Sequence, residues 1–318
     1  MTDGDADPAG AQDASDEADG ARVFAVASGK GGVGKTTTVV NLAASMADAG
    51  RDVVVVDFDL GMANVADVLD FEKPPRTLHD VLAGEANPGE AIADAPGGFS
   101  VLPGGTTIED FGKADPAKLR DVITTLREHF DVVLVDTGAG LSHDTSVPLG
   151  LADDVLLVTT AQAASLANTR KTRDLADRLG GDVAGVIVTR VGGGAASLPT
   201  DIQEQFEVPL LGTIPEDRTT AEAASAGEPL LTFAPESPAT QAYRELAYDL
   251  LGESLPLDFR DSRGETGGGP ATPTTAAPSD ESSSASMGAL VEEAEPEEEK
   301  SEKRSLLSKL TGGLVGGK

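Results

Sequence analysis

The chain reads as an α/β protein with a mostly parallel sheet and helices on both faces, for three reasons. Short apolar runs alternate along it with stretches whose apolar residues recur at helical spacing. One run leads straight into a glycine-rich phosphate loop, Gly29-Lys30-Gly31-Gly32-Val33-Gly34-Lys35-Thr36, and two more end on acidic residues. In open α/β sheets, ligands bind at that edge.

Residues 23–27 are an apolar run short enough for a buried strand, and the loop after it fits G-x-x-x-x-G-K-[ST] at Gly29, Gly34, Lys35 and Thr36. A helix follows with Val39, Leu42, Ala43 and Met46 on one face, and Gly50 ends it. Glycines let backbone N–H groups turn inward on phosphates, where the helix N-terminus adds positive potential. Lys35 then holds the β and γ phosphates and Thr36 ligates Mg²⁺. Residues 53–56 form a second strand, closed by Asp57-Phe58-Asp59-Leu60-Gly61-Met62-Ala63-Asn64. Asp115-Pro116 opens a helix with a cap and proline at its first position, and Leu119, Val122, Ile123 and Leu126 line one face. Residues 132–135 form the next strand, closed by Asp136-Thr137-Gly138-Ala139-Gly140-Leu141-Ser142. Further strands fall at 155–159, 183–189 and 210–214. A last helix starts at Ser237-Pro238, with Tyr243, Leu246, Ala247 and Leu250 on one face. Alternation of this kind implies right-handed crossovers.

Gly-Lys-Gly-Gly-Val-Gly-Lys-Thr-Thr, 29–37, resembles the deviant Walker A motif of the MinD/ParA family of P-loop ATPases, which are SIMIBI-type NTPases. The resemblance implies ATP and Mg²⁺ as cofactors, with Gly29, Lys30, Gly31, Gly32, Val33, Gly34, Lys35, Thr36 and Thr37 around the nucleotide. It makes Lys30 the lysine that crosses the interface of an ATP-bound homodimer to the partner's phosphates. Trans cations of that kind are worth roughly 10³ to 10⁵ in rate, or about 4 to 7 kcal/mol. A monomer is therefore expected to hydrolyse poorly.

Residues 57–64 look like the family's switch I and 136–142 like its switch II. By resemblance Asp59 positions the attacking water with Asn64 nearby, and Asp136 takes the Walker B role. Gly138 offers an N–H to the γ-phosphate. Asp57 reads either as a brace on the metal's water shell or as an acidic strand cap, which makes Thr36, Asp57 and Asp136 the metal set. The base-binding end departs from the family. Thr189-Arg190-Val191 stands where Asn-Arg-Val is common, and the asparagine expected to read adenine is missing. Ile214-Pro215-Glu216-Asp217 does match a family segment, so Arg190 and Pro215 are carried over as base contacts. His79, His129 and His143 show no ligand spacing and read as surface or capping residues. Only His143 lies beside switch II.

Cysteine is absent, so the iron–sulfur carriers with similar loops are excluded, as are disulfides and a thiol nucleophile. The formal charge is −30, with −7 on residues 1–21, −9 on 256–299, +4 on 300–318 and −18 on the remainder. Only six lysines lie between 22 and 255. A folded surface this acidic points to a salt-rich cytoplasm, as in a halophilic archaeon, where self-repulsion is screened. The same balance argues against nucleic acid as a partner. Arg170, Lys171, Arg173 and Arg178 share one helix, but Asp174 and Asp177 interleave, which reads as a solvated or interface face.

Four segments result: a disordered acidic arm at 1–21, the ATPase domain at 22–255, a disordered acidic linker at 256–299, and a basic amphipathic tail at 300–318. The first arm lacks a signal-peptide pattern, which points to the cytoplasm. In the tail, Leu306, Leu307, Leu310 and Leu314 share a helical face. In position and character it is similar to the family's membrane-targeting helix, which implies peripheral association with the inner face of the cell membrane. Docking on a protein partner and an unstructured end remain alternative readings. The function expected is a MinD-like spatial positioning ATPase for division site, cell shape or motility machinery, stimulated by an unknown protein partner. A nucleoid-associated partition ATPase and a regulator of flagellum or archaellum placement are the alternatives.

Overall fold

The computed structural model describes residues 20–141, 143–192 and 199–256. The acidic arm up to residue 19, the linker from 257 onward and the tail with Leu306, Leu307, Leu310 and Leu314 lie outside the described residues, as does Ser142.

In chain order, β1 (Arg22–Ser28) is followed by α1 (Lys35–Asp48), β2 (Val53–Phe58), α2 (Val65–Val68), α3 (Leu78–Ala83), α4 (Pro88–Ala91), β3 (Ala93–Asp94), β4 (Ser100–Leu102) and α5 (Ile108–Lys113). A 3-10 turn (Pro116–Lys118) leads into α6 (Leu119–Arg127) and β5 (Val132–Ala139). Then come α7 (His143–Leu149), β6 (Asp154–Thr160), α8 (Ala163–Leu179), β7 (Val183–Val191), α9 (Pro199–Phe206), β8 (Leu210–Pro215), α10 (Arg218–Ala226), α11 (Leu230–Phe233) and α12 (Pro238–Leu251). The strands form one sheet in the order β3-β4-β2-β5-β1-β6-β7-β8. Every pairing is parallel except β3 with β4.

Period-two alternation explains why the strands read as unbroken apolar runs. Phe24 and Val26 of β1 belong to a core shared with α1 and α12, whereas Val23, Ala25 and Ala27 face cores on the other side of the sheet. Both faces are buried, so no polar residue interrupts the run. The expected helix faces sit in these cores: Val39, Leu42, Ala43 and Met46 of α1 are fully buried, and Leu119, Val122, Ile123 and Leu126 of α6 and Tyr243, Leu246, Ala247 and Leu250 of α12 are buried too. Asp115 accepts from the Ala117 N–H and Ser237 from the Thr240 N–H, each closing a helix start.

The interior of residues 60–113 holds elements the sequence did not predict: α2 to α5, β3 and β4. Each is at most six residues long, too short for an apolar period to show. Among the described residues, no helix is long and apolar enough to cross a membrane.

Candidate nucleotide site

Strand order places the site. β1 carries the phosphate loop and lies between β5 and β6, and β5 lies beside β2. Asp57 pairs in register with Asp136 on the β2–β5 ladder, so two carboxylates reach the same sheet edge beside the loop. The two lysines of the loop have opposite fates. Lys35 is buried, 7 % exposed, and its ammonium pairs with Asp136 Oδ1. Lys30 is exposed.

Thr36 Oγ1 lies 2.6 Å from Asp136 Oδ2 and 2.7 Å from Asn64 Oδ1. A hydroxyl has one proton, so these three oxygens share a single hydrogen where they meet. Hard oxygens crowded in this way suit a small divalent cation. Among the described residues, no group of three or more His, Cys, Asp or Glu is placed to hold a metal by itself. A magnesium ion here would complete its shell with phosphate oxygens and water, as it usually does. The loop also fits a phosphate. Gly34 caps α1 in the left-handed conformation with no side-chain bond, which leaves the first helical N–H groups open. At Gly31 and Gly32 nothing lies within 4 Å of where a Cβ would be. Gly29 is required for another reason: a Cβ there would come 2.2 Å from the Asn168 carbonyl carbon and 2.3 Å from the Thr169 nitrogen, in the backbone of α8.

Asp59, in the turn after β2, and Gly138, in β5, come together. A Cβ on Gly138 would sit 3.5 Å from Asp59 Oδ1 and equally far from Thr145 Oγ1. Asp57 is engaged with the backbone: Oδ2 accepts from the N–H groups of Asn64 and Val65, each at 3.0 Å. Burial, followed by the neighbouring Asp136 carboxylate, pushes Asp57 up to about 7 from an ordinary 3.8. The N–H groups of Val65 and Asp59 and the Lys35 ammonium pull the other way. Asp57 thus ties down the loop after β2.

Arg190 and Pro215 reach adjoining strand ends, since Val191 pairs with Pro215. Arg190 is exposed and has φ of 54°, an unusual backbone for a non-glycine residue. Thr189 has a part that the sequence did not show. Its hydroxyl lies 2.5 Å from the Val33 carbonyl of the phosphate loop and 3.1 Å from the Thr159 carbonyl of β6.

One histidine reading changes. His79 is not a surface residue: it is 1 % exposed, accepts from the Gly105 N–H at Nδ1 (2.7 Å) and lies 3.1 Å from the Leu60 carbonyl at Nε2. No spacing rule could have found that bridge, because its partners are 19 and 26 residues away. His129 is bonded to the Thr125 carbonyl of the preceding helical turn. His143 opens α7, and its side chain lies outside the description. On α8, Arg173 pairs with Asp174 and Asp177 of the same helix and with Glu207 after α9.

Comparison with known proteins agrees with this geometry. The family described as the CobQ/CobB/MinD/ParA nucleotide binding domain matches residues 24–230. An ATP-binding protein of Methanocaldococcus jannaschii is 39 % identical over 76 % of this chain and 91 % of its own. The antiactivator FleN of Pseudomonas aeruginosa is 31 % identical over 75 % of this chain and 89 % of its own. The septum site-determining protein MinD of Helicobacter pylori is also 31 % identical, over 76 % and 95 %. Among solved structures, the cell division ATPase MinD of Pyrococcus furiosus superposes with a TM-score of 0.69 at 39 % identity, covering 73 % of this chain and 98 % of that one. The Pyrococcus horikoshii MinD complexed with Mg-ADP gives 0.68 at 36 %, covering 72 % and 96 %. The chain therefore belongs to the CobQ/CobB/MinD/ParA nucleotide-binding family, as an ATPase of MinD/ParA type.

Proposed function

We propose that this chain binds ATP with Mg²⁺, pairs with a second copy of itself in that state, and separates from it on hydrolysis, so that its output is position within the cell. The opposite placement of Lys30 and Lys35 carries the reading: Lys35 is buried against Asp136, while Lys30, five residues earlier, faces outward where it can serve a neighbouring subunit. Met62 and Leu141, 78 % and 55 % exposed, lie just after the two acidic strand ends and offer apolar surface for a second subunit to cover.

In this reading Lys35 and the loop N–H groups hold the phosphates, and Thr36 and Asp136 hold the metal with Asn64 beside them. The metal neutralises charge on the phosphate oxygens. Asp59, next to Gly138, orients water for in-line attack, and Gly138 presents its N–H to the terminal phosphate. Thr189 supports the loop from the side, and Arg190 and Pro215 border the base. A location in the cytoplasm, peripheral at the inner membrane face through residues 300–318, completes the proposal, with a protein partner that stimulates turnover. Septum placement is supported by the relatives named for it. Placement of surface appendages is a second reading, favoured by the similarity to FleN.

The test is the mass of the full chain in molar potassium chloride with magnesium and a non-hydrolysable ATP analogue, read by light scattering behind a sizing column. A dimer that reverts to monomer with ADP is expected. A monomer in both states would refute the proposal. In cells, a fluorescent fusion gathered at the base of appendages and absent from midcell would favour the second reading.

A further inference from the structure

His79 is the second residue of α3, and its ring lies between two loops. An N–H bond received at Nδ1 from Gly105 means that this nitrogen carries no proton, so the proton is on Nε2 and is donated to the Leu60 carbonyl. Leu60 directly follows Asp59. The loop from 59 to 64 is also held at its start, where the Asp59 N–H donates to Asp57 Oδ1 and Asp59 Oδ1 accepts from the Met62 N–H at 3.2 Å, and towards its end, where Asp57 accepts from the Asn64 and Val65 N–H groups and Gly104 comes close to Ala63. A Cβ on Gly104 would lie 2.6 Å from the Ala63 Cβ. The outer side of the loop borders a cleft of about 470 Å³ lined by Leu60, Met62, Asn64, Gly105 and Thr107. With that side open, the His79 bond to the Leu60 carbonyl is the buried anchor next to Asp59, and it adds to the bonds Asp59 makes with Asp57 and Met62.

We propose that His79 is a positioning residue for hydrolysis: its Nε2–H holds the Leu60 carbonyl and thereby keeps the Asp59 carboxylate opposite Gly138. The proposal rests on the role given to Asp59 above. His79 touches neither nucleotide nor water itself. A misplacement of about 1 Å at a reacting group costs up to roughly 100-fold in rate, so loss of one anchor next to Asp59 is expected to show in turnover.

The test uses the two amide substitutions that mimic one ring nitrogen each. His79→Asn keeps an acceptor where Nδ1 stands and loses the donor to Leu60; His79→Gln keeps a donor where Nε2 stands. In the full chain at high salt, single-turnover ATP hydrolysis is measured beside affinity for a fluorescent ATP analogue. His79→Asn should slow hydrolysis by roughly 10- to 100-fold with affinity nearly unchanged, and His79→Gln should recover most of the rate. Equal rates in all three proteins overturn the proposal, as does an equal loss of rate and affinity in both variants, which marks a packing role only. Asp59→Ala serves as the control. If that variant hydrolyses ATP normally, the reading of Asp59 itself is wrong; if it is inactive while His79→Asn is active, only the positioning role falls. Nitrogen-15 spectra of labelled histidine give a second check, since a proton on Nδ1 in place of Nε2 also overturns the proposal.

Discussion

The Thr189 hydroxyl sits 2.5 Å from the Val33 carbonyl, bonding the phosphate loop sideways to the end of β7. The contact is buried, so its loss leaves an acceptor without water. Thr189→Val, nearly the same shape, is expected to cost about 1 to 3 kcal/mol of stability and to weaken nucleotide binding. Denaturant unfolding and titration with a fluorescent ATP analogue check both. Unchanged unfolding would show that the loop holds itself.

Lys30→Ala should separate binding from turnover. Lys35 and the loop N–H groups remain, so ATP affinity is expected to stay close to that of the parent protein. Hydrolysis should fall by about 10³-fold or more, the scale of a lost trans cation, and analogue-driven pairing should fall with it. Steady-state kinetics across protein concentration distinguish this from a simple binding defect.

Gly29→Ala tests the contact between loop and α8. The new methyl would press on backbone atoms of Asn168 and Thr169, which cannot rotate away. Overpacking of this kind costs about 1 to 3 kcal/mol, sometimes more. A lower melting temperature and weaker nucleotide binding are expected together. A variant that melts like the parent would mean that α8 shifts freely.

The pH dependence at Asp57 has a definite sign. Its native value is raised to about 7 from 3.8, so between those values the folded state keeps a proton that the unfolded chain has released. Stability from this group is present in full at low pH and is lost as pH rises through about 7. Asp57→Asn removes the buried charge and keeps an oxygen acceptor for the backbone. With chelator present, the melting temperatures of parent and variant should converge near pH 4 and separate in favour of the variant above pH 7. Parallel curves would show that Asp57 carries no such proton.

Removing residues 300–318 is expected to abolish ATP-dependent sedimentation with anionic vesicles while leaving ATP hydrolysis by the soluble protein intact. In the proposed scheme one tail alone would bind weakly, and a pair would gain roughly 100-fold or more by avidity. Equal sedimentation with and without the tail would assign membrane contact elsewhere.

The phosphate loop, six of the eight strands and the long helices were legible in the sequence, because each is a local pattern. A buried parallel strand must be apolar on both faces, and a phosphate cradle needs glycines at set spacing. Asp59 and Asp136 could be placed at strand ends on the same grounds. Only the tertiary structure decided what these residues meet. Thr189 showed in the sequence as a missing asparagine and proves to be a brace on Val33. His79 read as a surface or capping residue and is buried between Leu60 and Gly105. Asp57 had two readings, and its hydrogen bonds to Asn64 and Val65 show which contacts it makes. Side-chain partners far apart in the chain are set by sheet order and loop packing, and no spacing in the sequence encodes them.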